Sequence, residues 1–306
     1  MAGERTARGA GQCGEFTMIK LLALDLDGTL LNSRGTITEE NREAIRAAEK
    51  AGVLVTIATG RRYRDARPVG LELELNAPLV THNGALVKYA KTLETVAASL
   101  LDTETTREIV RVGKQYGGDA LVSADPHGKG TLLYDRVSDD NLPLQKYLGW
   151  AQRLHGEEAA HAVTHVGDLN DALPEHEVIH ISFSGSCGPM GRMLSFLEDE
   201  LADSVTILPT IYPRLDFTLI DILPPGSTKG TGLKKLSAIE GLIPENVMSI
   251  GDNFNDLGML EFAGTPVVMG NADPSLLERP EFYKTLSNDE NGVARAVDRF
   301  ILRKEN

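Results

Sequence analysis

The strongest signal in the chain is the stretch Lys20-Leu21-Leu22-Ala23-Leu24-Asp25-Leu26-Asp27-Gly28-Thr29-Leu30-Leu31. Its apolar start ends in two carboxylates separated by one residue, and a glycine and a hydroxyl follow. A short apolar run of this kind predicts a fully buried strand at the centre of a parallel sheet. Ligands of open α/β sheets bind outside the carboxyl ends of the strands, where Asp25 and Asp27 fall. If the chain turns at Asp27, with Gly28 supplying the backbone freedom, the two side chains can point in different directions.

This pair of aspartates permits a specific chemistry. Two buried carboxylates without a partner would repel each other, so Asp25 and Asp27 require a cation or a shared proton. An oxygen-only set of ligands suits Mg²⁺, which keeps coordination positions for water and phosphate. One aspartate could then attack phosphorus while the other moves protons. Taken alone, the Asp-x-Asp pattern fits a solvated turn after a core strand equally well, so its interpretation depends on partners elsewhere in the chain.

Length and composition are typical of a globular enzyme. The chain has 306 residues, 25% of them charged, and a formal net charge of -13, which disfavours nucleic acid or an anionic membrane as the main partner. Cys13 and Cys187 are too few for a disulfide framework, and no apolar stretch approaches the roughly 20 residues of a membrane span. We therefore expect a cytoplasmic protein without a nucleic-acid or membrane partner. Residues 1–17 are predicted to be a disordered extension, or to reflect a start site placed too early.

The pattern of elements divides the chain into two kinds of region. Residues 18–84 and 224–306 alternate apolar strands with amphipathic helices, an order that predicts a parallel sheet with right-handed crossovers. Residues 85–223 contain short strands in hairpin order with a few helices. This middle region is predicted to be an α+β module inserted between the two halves of an α/β core.

Two segments are predicted to interrupt the regular elements. Residues 64–73 have helical spacing, but Pro68 lacks the backbone N–H that a helix interior uses, so we predict a break there. Residues 171–177 follow a polar helical stretch, and we predict a linker.

Groups suited to phosphate chemistry follow several of the core strands. They are Asp25 and Asp27 after the first strand, Thr59 after the second, Asp252 and Asp256 after a later strand, and Lys229 in a loop before a helix. Strand ends of a parallel sheet converge on one edge, so these residues can meet in space. Individually, Lys229 would be a solvated surface lysine and the Asp252–Asp256 pair would be helix-capping acids. Together they supply a nucleophile, a proton shuttle, metal ligands, a hydroxyl and a cation, which favours a metal-dependent phosphoryl-transfer site.

After residue 17, nearly the whole chain resembles the haloacid dehalogenase superfamily, and within it the Cof-type phosphatases. Four segments carry the resemblance: Asp25-Leu26-Asp27-Gly28-Thr29, Ala58-Thr59-Gly60-Arg61, Lys229-Gly230 and Gly251-Asp252-Asn253-Phe254-Asn255-Asp256. Further marks of the Cof type are Met259, Val268-Met269-Gly270-Asn271-Ala272 and Asn288-Asp289-Glu290-Asn291-Gly292-Val293-Ala294. The resemblance implies a Rossmann-like parallel-sheet core over residues 18–84 and 224–306, with a large α+β (type IIB) cap over residues 85–223.

The resemblance also implies roles for the acidic residues. Asp25 would be the nucleophile, and Asp27 the general acid and base. Asp25, the Asp27 carbonyl and Asp252 would hold Mg²⁺. Asp256 would be a metal ligand through water or an anchor for Lys229.

A second set of residues is implied to bind the phosphate or the rest of the substrate. Its members are Thr59, Gly60, Arg61, Lys229 and Asn255. Arg61 could instead cap the helix that follows Gly60. At the position before Asn83-Gly84, where the family often has Asn or Ser, this chain has His82.

These observations predict a Mg²⁺-dependent phosphatase that hydrolyses a small phosphorylated metabolite, a sugar phosphate or a cofactor phosphate, through an aspartyl-phosphate. A phosphomutase of the same superfamily would share the aspartate pair but return the phosphoryl group to its product. A non-catalytic protein that binds a phosphorylated metabolite is an alternative from another class, but such a protein would be expected to have lost Asp25, Asp27 or Lys229. An ion-pumping ATPase shares the aspartyl-phosphate chemistry but requires membrane spans.

Overall fold

The structure is a computed structural model that describes residues 18–201 and 204–304. The extension predicted over residues 1–17 lies outside the described residues. In the part of the chain that is described, no helix combines the length and the apolar character needed to cross a membrane.

The described residues form a mixture of strands and helices. The strands are β1 (Leu21–Leu24), β2 (Leu54–Ile57), β3 (Leu79–Thr81), β4 (Leu86–Lys88), β5 (Thr95–Ala98), β6 (Asp119–Ala124), β7 (Thr131–Tyr134), β8 (Val163–His165), β9 (Val178–Gly185), β10 (Thr206–Tyr212), β11 (Phe217–Leu223), β12 (Val247–Gly251), β13 (Thr265–Val268) and β14 (Tyr283–Lys284). The helices are α1 (Glu39–Lys50), α2 (Tyr63–Glu72), α3 (Thr103–Gln115), α4 (Leu142–His155), α5 (Ala159–Ala162), α6 (Leu169–Ala172), α7 (Cys187–Leu201), α8 (Lys229–Ile239), α9 (Leu257–Phe262), α10 (Pro274–Leu277) and α11 (Gly292–Phe300).

Strand β1 lies inside a five-stranded parallel sheet with the order β14-β13-β12-β1-β2. Its side chains alternate between the two faces. Leu22 and Leu24 pack in a cluster with residues of α1 and α11, whereas Leu21 and Ala23 pack with residues of α8 and α9. Helices therefore cover both faces, which is why β1 is apolar at every position. The predicted α/β core with a parallel sheet is confirmed.

A small antiparallel sheet in the order β3-β4-β5 adjoins the parallel sheet. Ala58, just after β2, forms a parallel bridge with Val80 of β3. Val87 of β4 packs in the same buried cluster as Leu21 of β1. This small sheet therefore packs with the core, and the domain boundaries inferred from the sequence remain predictions.

The cap is built on a six-stranded sheet in the order β10-β11-β9-β6-β7-β8, antiparallel except between β7 and β8. On one face Ile181, Phe183 and Ile220 pack with residues of α3 and α7. The opposite face looks toward the carboxyl edge of the parallel sheet, with a cavity between the two. An inserted α+β cap above an α/β core agrees with the predicted fold class.

The two local predictions of irregular structure are wrong. Helix α2 continues through Pro68, because a single missing N–H removes one hydrogen bond and the backbone bonds on both sides remain. Residues 171–177 are not a linker, since α6 and a 3₁₀ turn over Leu173–Glu175 occupy most of this segment. Leu169 and Leu173 are buried in the cap core one helical turn apart, and this burial stabilises the short helical pair.

Candidate active site

The strands β12, β1 and β2 are neighbours in the parallel sheet, so their carboxyl ends lie side by side. Asp252 follows β12, Asp25 follows β1, and Thr59 lies two residues beyond β2. Lys229 reaches the same edge from the first residue of α8. The structure therefore brings together the groups that the sequence placed at separate strand ends.

Lys229 is the centre of a buried ion-pair network. Its Nζ lies 2.6 Å from Asp25 Oδ1 and 2.6 Å from Asp256 Oδ1. The other oxygen of Asp256 accepts hydrogen bonds from the backbone N–H groups of Asp252 and Asn253, at 2.9 and 3.0 Å. Asp256 thus anchors both the lysine and the loop that carries Asp252.

The pKa values in this network reflect an excess of carboxylates. Burial is the main influence that raises the pKa of Asp25 well above its usual range, and the Asp256 carboxylate raises it further. Lys229 opposes this effect. Burial alone would lower the pKa of Lys229, but attraction to Asp25 and Asp256 outweighs burial and raises it. Because negative groups outnumber the single ammonium, the site favours a further cation.

Asp252 completes a cluster of three carboxylates. One oxygen from each of Asp25, Asp252 and Asp256 lies within 4.8 Å of the others. Thr29 Oγ1 donates to Asp252 Oδ1 at 2.9 Å, and burial is the main influence that raises the pKa of Asp252. An oxygen-only, negatively charged set of ligands fits a hard divalent cation such as Mg²⁺.

The turn after β1 depends on Gly28. This residue has a φ of +84°, and a Cβ at this position would lie 2.3 Å from Asp252 Oδ2. Glycine alone adopts this backbone conformation without strain and leaves room for the carboxylate. The turn points the two aspartates in different directions: Asp25 is buried, whereas the side chain of Asp27 is 60% exposed.

Asp27 is held by Arg61. The guanidinium donates from Nε to Asp27 Oδ2 at 2.8 Å and from Nη2 to Asp27 Oδ1 at 2.6 Å. Such a two-pronged contact fixes both oxygens of the carboxylate. Arg61 and Asp27 both line the cavity, so this pair forms one side of its rim.

The loop after β2 supplies polar groups to the same cavity. Thr59 is buried, and its Oγ1 accepts the backbone N–H of Arg61 at 3.1 Å, which leaves the hydroxyl hydrogen available for another acceptor. Gly60 and Asn255 also line the cavity. Asn255 Nδ2 donates to Asn83 Oδ1 at 3.4 Å, which connects the β3 and β12 loops.

The start of α8 explains how a lysine is held at this edge. Thr228 caps the helix by accepting the Thr231 N–H at 3.1 Å. A cation in the first turn opposes the helix dipole, so Lys229 depends on its two carboxylate partners. A Cβ on Gly230 would lie 2.4 Å from the backbone of Gly258. This close approach of α8 to α9 keeps Lys229 beside the Asp256 loop.

A cavity of about 620 Å³ separates the carboxyl edge from the cap sheet. Asp25, Thr59 and Lys229 line its core side. The cap contributes aromatic and polar side chains from α4 and from strands β9, β10 and β11, including Tyr147, Trp150, His180, Tyr212, Phe217 and Asp221. Its size suits a small organic molecule.

A second buried charge cluster lies at the seam between core and cap, and sequence analysis missed it. Arg62 donates to both oxygens of Asp65 at 2.9 and 3.1 Å. Two cap residues complete this seam network: Tyr147 OH and His155 Nε2 each lie 3.1 Å from Asp65. Burial would raise the pKa of Asp65, but Arg62 and His155 outweigh burial and lower it. In the sequence, Arg62 and Asp65 look like an ordinary surface pair three residues apart.

Sequence analysis also missed the polar face of the cap sheet. The signal was present, because polar His180, Ser182 and Ser184 alternate with apolar Ile181 and Phe183 in β9, a pattern typical of a strand with two different faces. Which element covers the polar face depends on how the cap packs on the core, and the pattern carries no information about that contact.

His82, which the sequence singled out, is buried in the loop after β3. Its Nε2 accepts the backbone N–H of Tyr63 at 3.1 Å. Its ring meets that of His180 edge to face, with centroids 5.7 Å apart. Burial, and to a smaller extent His180, lowers the pKa of His82 well below its usual value, so His82 is a neutral contact between core and cap.

The chain has clear relatives among known proteins. The haloacid dehalogenase-like hydrolase family matches residues 22–297. The 5-amino-6-(5-phospho-D-ribitylamino)uracil phosphatase YwtE of Bacillus subtilis (strain 168) is 34% identical over 302 residues, covering 92% of this chain and 98% of the relative. The pyridoxal phosphate phosphatase YbhA of Escherichia coli (strain K12) is 32% identical over 270 residues, covering 85% and 91%. A solved structure of a haloacid dehalogenase-like hydrolase from Bacteroides thetaiotaomicron aligns with a TM-score of 0.76 at 27% identity, covering 92% of this chain and 99% of that one.

The family match extends from β1 to α11 and includes all four segments that carry the resemblance. YwtE and YbhA, which align with most of the chain, are both named as phosphatases. The chain therefore belongs to the haloacid dehalogenase-like hydrolase family and, like these relatives, is an enzyme of the phosphatase type.

Proposed function

We propose that this protein hydrolyses the phosphate monoester of a small metabolite, with Asp25 as the nucleophile. The observation that carries the proposal is the position of Asp25: it is buried at the floor of the cavity, with one oxygen 2.6 Å from Lys229. Nearby carboxylates and a cation can position and activate such a group for attack on phosphorus. A surface carboxylate would lack this preorganisation.

The proposed reaction has two steps. Asp25 Oδ2 forms a bond to phosphorus while the bond from phosphorus to the leaving oxygen breaks, and Asp27 donates a proton to that oxygen. Water then attacks the phosphorus of the aspartyl-phosphate, Asp27 takes a proton from the water, and the bond to Asp25 breaks to release orthophosphate. Asp27 fits this role because it lies on the rim of the cavity rather than beneath it, with Arg61 orienting both of its oxygens.

We infer that Asp25, Asp252 and the Asp27 carbonyl hold Mg²⁺. The negative, oxygen-only cluster at the cavity floor fits this ion. When bound, Mg²⁺ would neutralise charge on the phosphate oxygens and on Asp25. Asp256 already binds Lys229 and two backbone N–H groups. This supports a role for Asp256 as an anchor, or as a ligand through water.

The transferring phosphate is proposed to bind between the loop after β2 and the start of α8. Thr59 has a hydroxyl hydrogen to donate, Lys229 has its charge at the cavity floor, and Gly60 and Asn255 line the same space. Arg61 belongs with them because its guanidinium is on the rim. Donors around the equatorial oxygens stabilise the charge of the phosphoryl-transfer transition state.

The named relatives guide the choice of substrates. YwtE is named for an aminouracil ribityl phosphate and YbhA for pyridoxal phosphate. We therefore propose cofactor-type phosphates first, and sugar phosphates second, as substrates of this protein. The cavity volume accommodates either class.

The test is orthophosphate release from a panel of phosphorylated metabolites with Mg²⁺ present. The expected result is multiple turnover that stops with EDTA and falls by about 10³-fold or more in Asp25→Asn, since an amide cannot form the acyl-phosphate. Asp199→Asn, the same change at an exposed position of α7, serves as the matched control.

Two results would contradict the proposal. Transfer of the phosphoryl group back to the organic product, without free phosphate, would support a phosphomutase. Folded protein that binds these compounds and releases nothing would support a binding protein.

A further inference from the structure

The cap sheet presents an unusual polar surface to the cavity. His180, Ser182 and Ser184 of β9 share this face with Leu219 and Asp221 of β11, because Asp221 pairs with Ser182 and Leu219 with Ser184. Polar side chains that are largely withdrawn from water are costly unless they have partners. This face is therefore suited to contact a ligand.

Asp221 and His180 form the centre of this surface. His180 Nε2 lies 2.9 Å from Asp221 Oδ1, and the two side chains are 7% and 18% exposed. Asp221 Oδ2 has no hydrogen-bond partner among residues 18–201 and 204–304, although Asp221 lines the cavity. One oxygen is thus fixed by the histidine, and the other is available to accept a hydrogen bond from a bound molecule.

His180 also carries an unpartnered buried atom. Nε2 of His180 contacts Asp221, so Nδ1 is the remaining ring nitrogen. This Nδ1 is buried and has no hydrogen-bond partner among the described residues, and the same holds for Nδ1 of His82 on the neighbouring core loop. Since Tyr63 donates to His82 Nε2, His82 Nδ1 is the donor. Both Nδ1 atoms are thus buried polar atoms that the described residues leave without a hydrogen-bond partner.

Aromatic rings flank this polar centre. Tyr147 and Trp150 of α4 form one pair, with ring centroids 5.8 Å apart. Tyr212 and Phe217 form another, stacked at 5.9 Å with an interplanar angle of 25°. All four line the cavity. Aromatic side chains around a cavity favour flat, apolar-faced ligands.

We propose that Asp221, positioned by His180, determines specificity for a leaving group that combines a planar ring with a hydrogen-bond donor. The ring would lie among the aromatic side chains, and its N–H or O–H would bind Asp221 Oδ2. This inference rests on the proposed phosphatase function and deepens it, since Asp25 would act on the phosphate at the opposite side of the same cavity. His180 is a positioning residue that fixes Asp221 and connects it to His82.

Three phosphate monoesters distinguish the contribution of the planar ring from that of the hydrogen-bond donor. Pyridoxine 5′-phosphate has a ring and donors, benzyl phosphate has a ring without a donor, and glucose 6-phosphate has donors without a planar ring. For the wild-type enzyme we expect the highest kcat/KM with pyridoxine 5′-phosphate. Equal or better hydrolysis of benzyl phosphate would overturn the proposal without any variant.

The variant Asp221→Asn then tests the residue itself. Because a hydrogen bond to a charged group is lost, the ratio of kcat/KM for pyridoxine 5′-phosphate over benzyl phosphate is expected to fall by about 10-fold to 100-fold, mainly through KM. His180→Ala should lower the same ratio by a smaller factor. Asp199→Asn, on a helix that packs against the opposite face of the cap sheet, provides the matched control for the ratio.

The outcomes distinguish this inference from the proposed function. If the wild type releases phosphate but the ratio is unchanged in Asp221→Asn, the specificity proposal is wrong and the phosphatase proposal stands. If the wild type releases phosphate from no compound, the phosphatase proposal is wrong. A loss of the same size with both substrates would make Asp221 a structural residue.

Discussion

Asp25 and Asp65 are both buried aspartates beside a cation, yet their pKa values move in opposite directions. Burial and neighbouring carboxylates raise the pKa of Asp25, and one ammonium is too little to reverse this. The pKa of Asp65 is lowered despite burial, because Arg62 binds both of its oxygens and His155 adds a further hydrogen bond. The difference lies in the number of charges of each sign, and not in the depth of burial.

The two clusters differ in their charge balance. One carries excess negative charge that a ligand can offset, whereas the charges of the other are already paired within the protein. The cluster around Lys229 holds three carboxylates and one cation. A bound metal ion can therefore offset the excess negative charge of this cluster. The seam network of Arg62, Asp65, Tyr147 and His155 satisfies its charges internally. We interpret the seam network as an attachment of the cap to the core.

The largest effect is expected at Lys229. Lys229→Met leaves Asp25 and Asp256 buried without their cation, which should lower the free energy of unfolding by about 3–5 kcal/mol in EDTA. Mg²⁺ should recover part of this loss, since ion binding to the folded state stabilises it. Urea unfolding measures both effects. Lys234→Met, at an exposed position of the same helix, is the control, and equal losses in the two variants would contradict the role given to Lys229.

A smaller effect is expected at the seam network. Asp65→Asn removes the charge that Arg62 and His155 contact, and should lower the free energy of unfolding by about 1.5–3 kcal/mol. In contrast to Lys229→Met, Mg²⁺ should not recover this loss, because the seam network needs no further cation. Recovery by Mg²⁺ to the same degree as in Lys229→Met would show that the two clusters do not differ as described.

The smallest effect concerns pH. The folded-state pKa of Asp65 is below the unfolded value, so its stabilisation is complete above an ordinary aspartate pKa of about 3.9 and is lost as the pH falls toward the folded-state value. The stability difference between wild type and Asp65→Asn should stay constant from pH 7 to pH 5. Below about pH 4 it should shrink by about 1.4 kcal/mol per pH unit. A difference that already shrinks between pH 7 and pH 5 would contradict the assignment of this pH dependence to Asp65.

Much of the cavity floor was predictable because its residues follow strands of one parallel sheet. Asp25, Thr59 and Asp252 each end a strand-like segment, and the rule that parallel strands converge at their carboxyl ends places them together without knowledge of long-range packing. The same local reasoning was wrong at Pro68, where helix α2 tolerates one lost hydrogen bond. It was also wrong for residues 171–177, where burial of Leu173 stabilises a short helical segment.

The contacts between core and cap were not predictable in this way. Asp65 of the core lies 90 residues from His155 of the cap in the chain, and the ring of His82 in the core meets that of His180 in the cap. No local period or spacing relates the residues of such contacts, because they meet only where the cap covers the core. The alternation in β9 indicated a polar face, but its meaning depends on what that face covers.

Sequence alone determined the α/β core, the inserted cap and the residues at the floor of the cavity, since hydrophobic periodicity and strand-end chemistry are local properties. The tertiary structure decided which charges meet across the seam and which cap residues face the cavity. The physical reason is that ion pairing and desolvation depend on distances between elements remote in the chain. Those distances exist only after the cap has packed on the core.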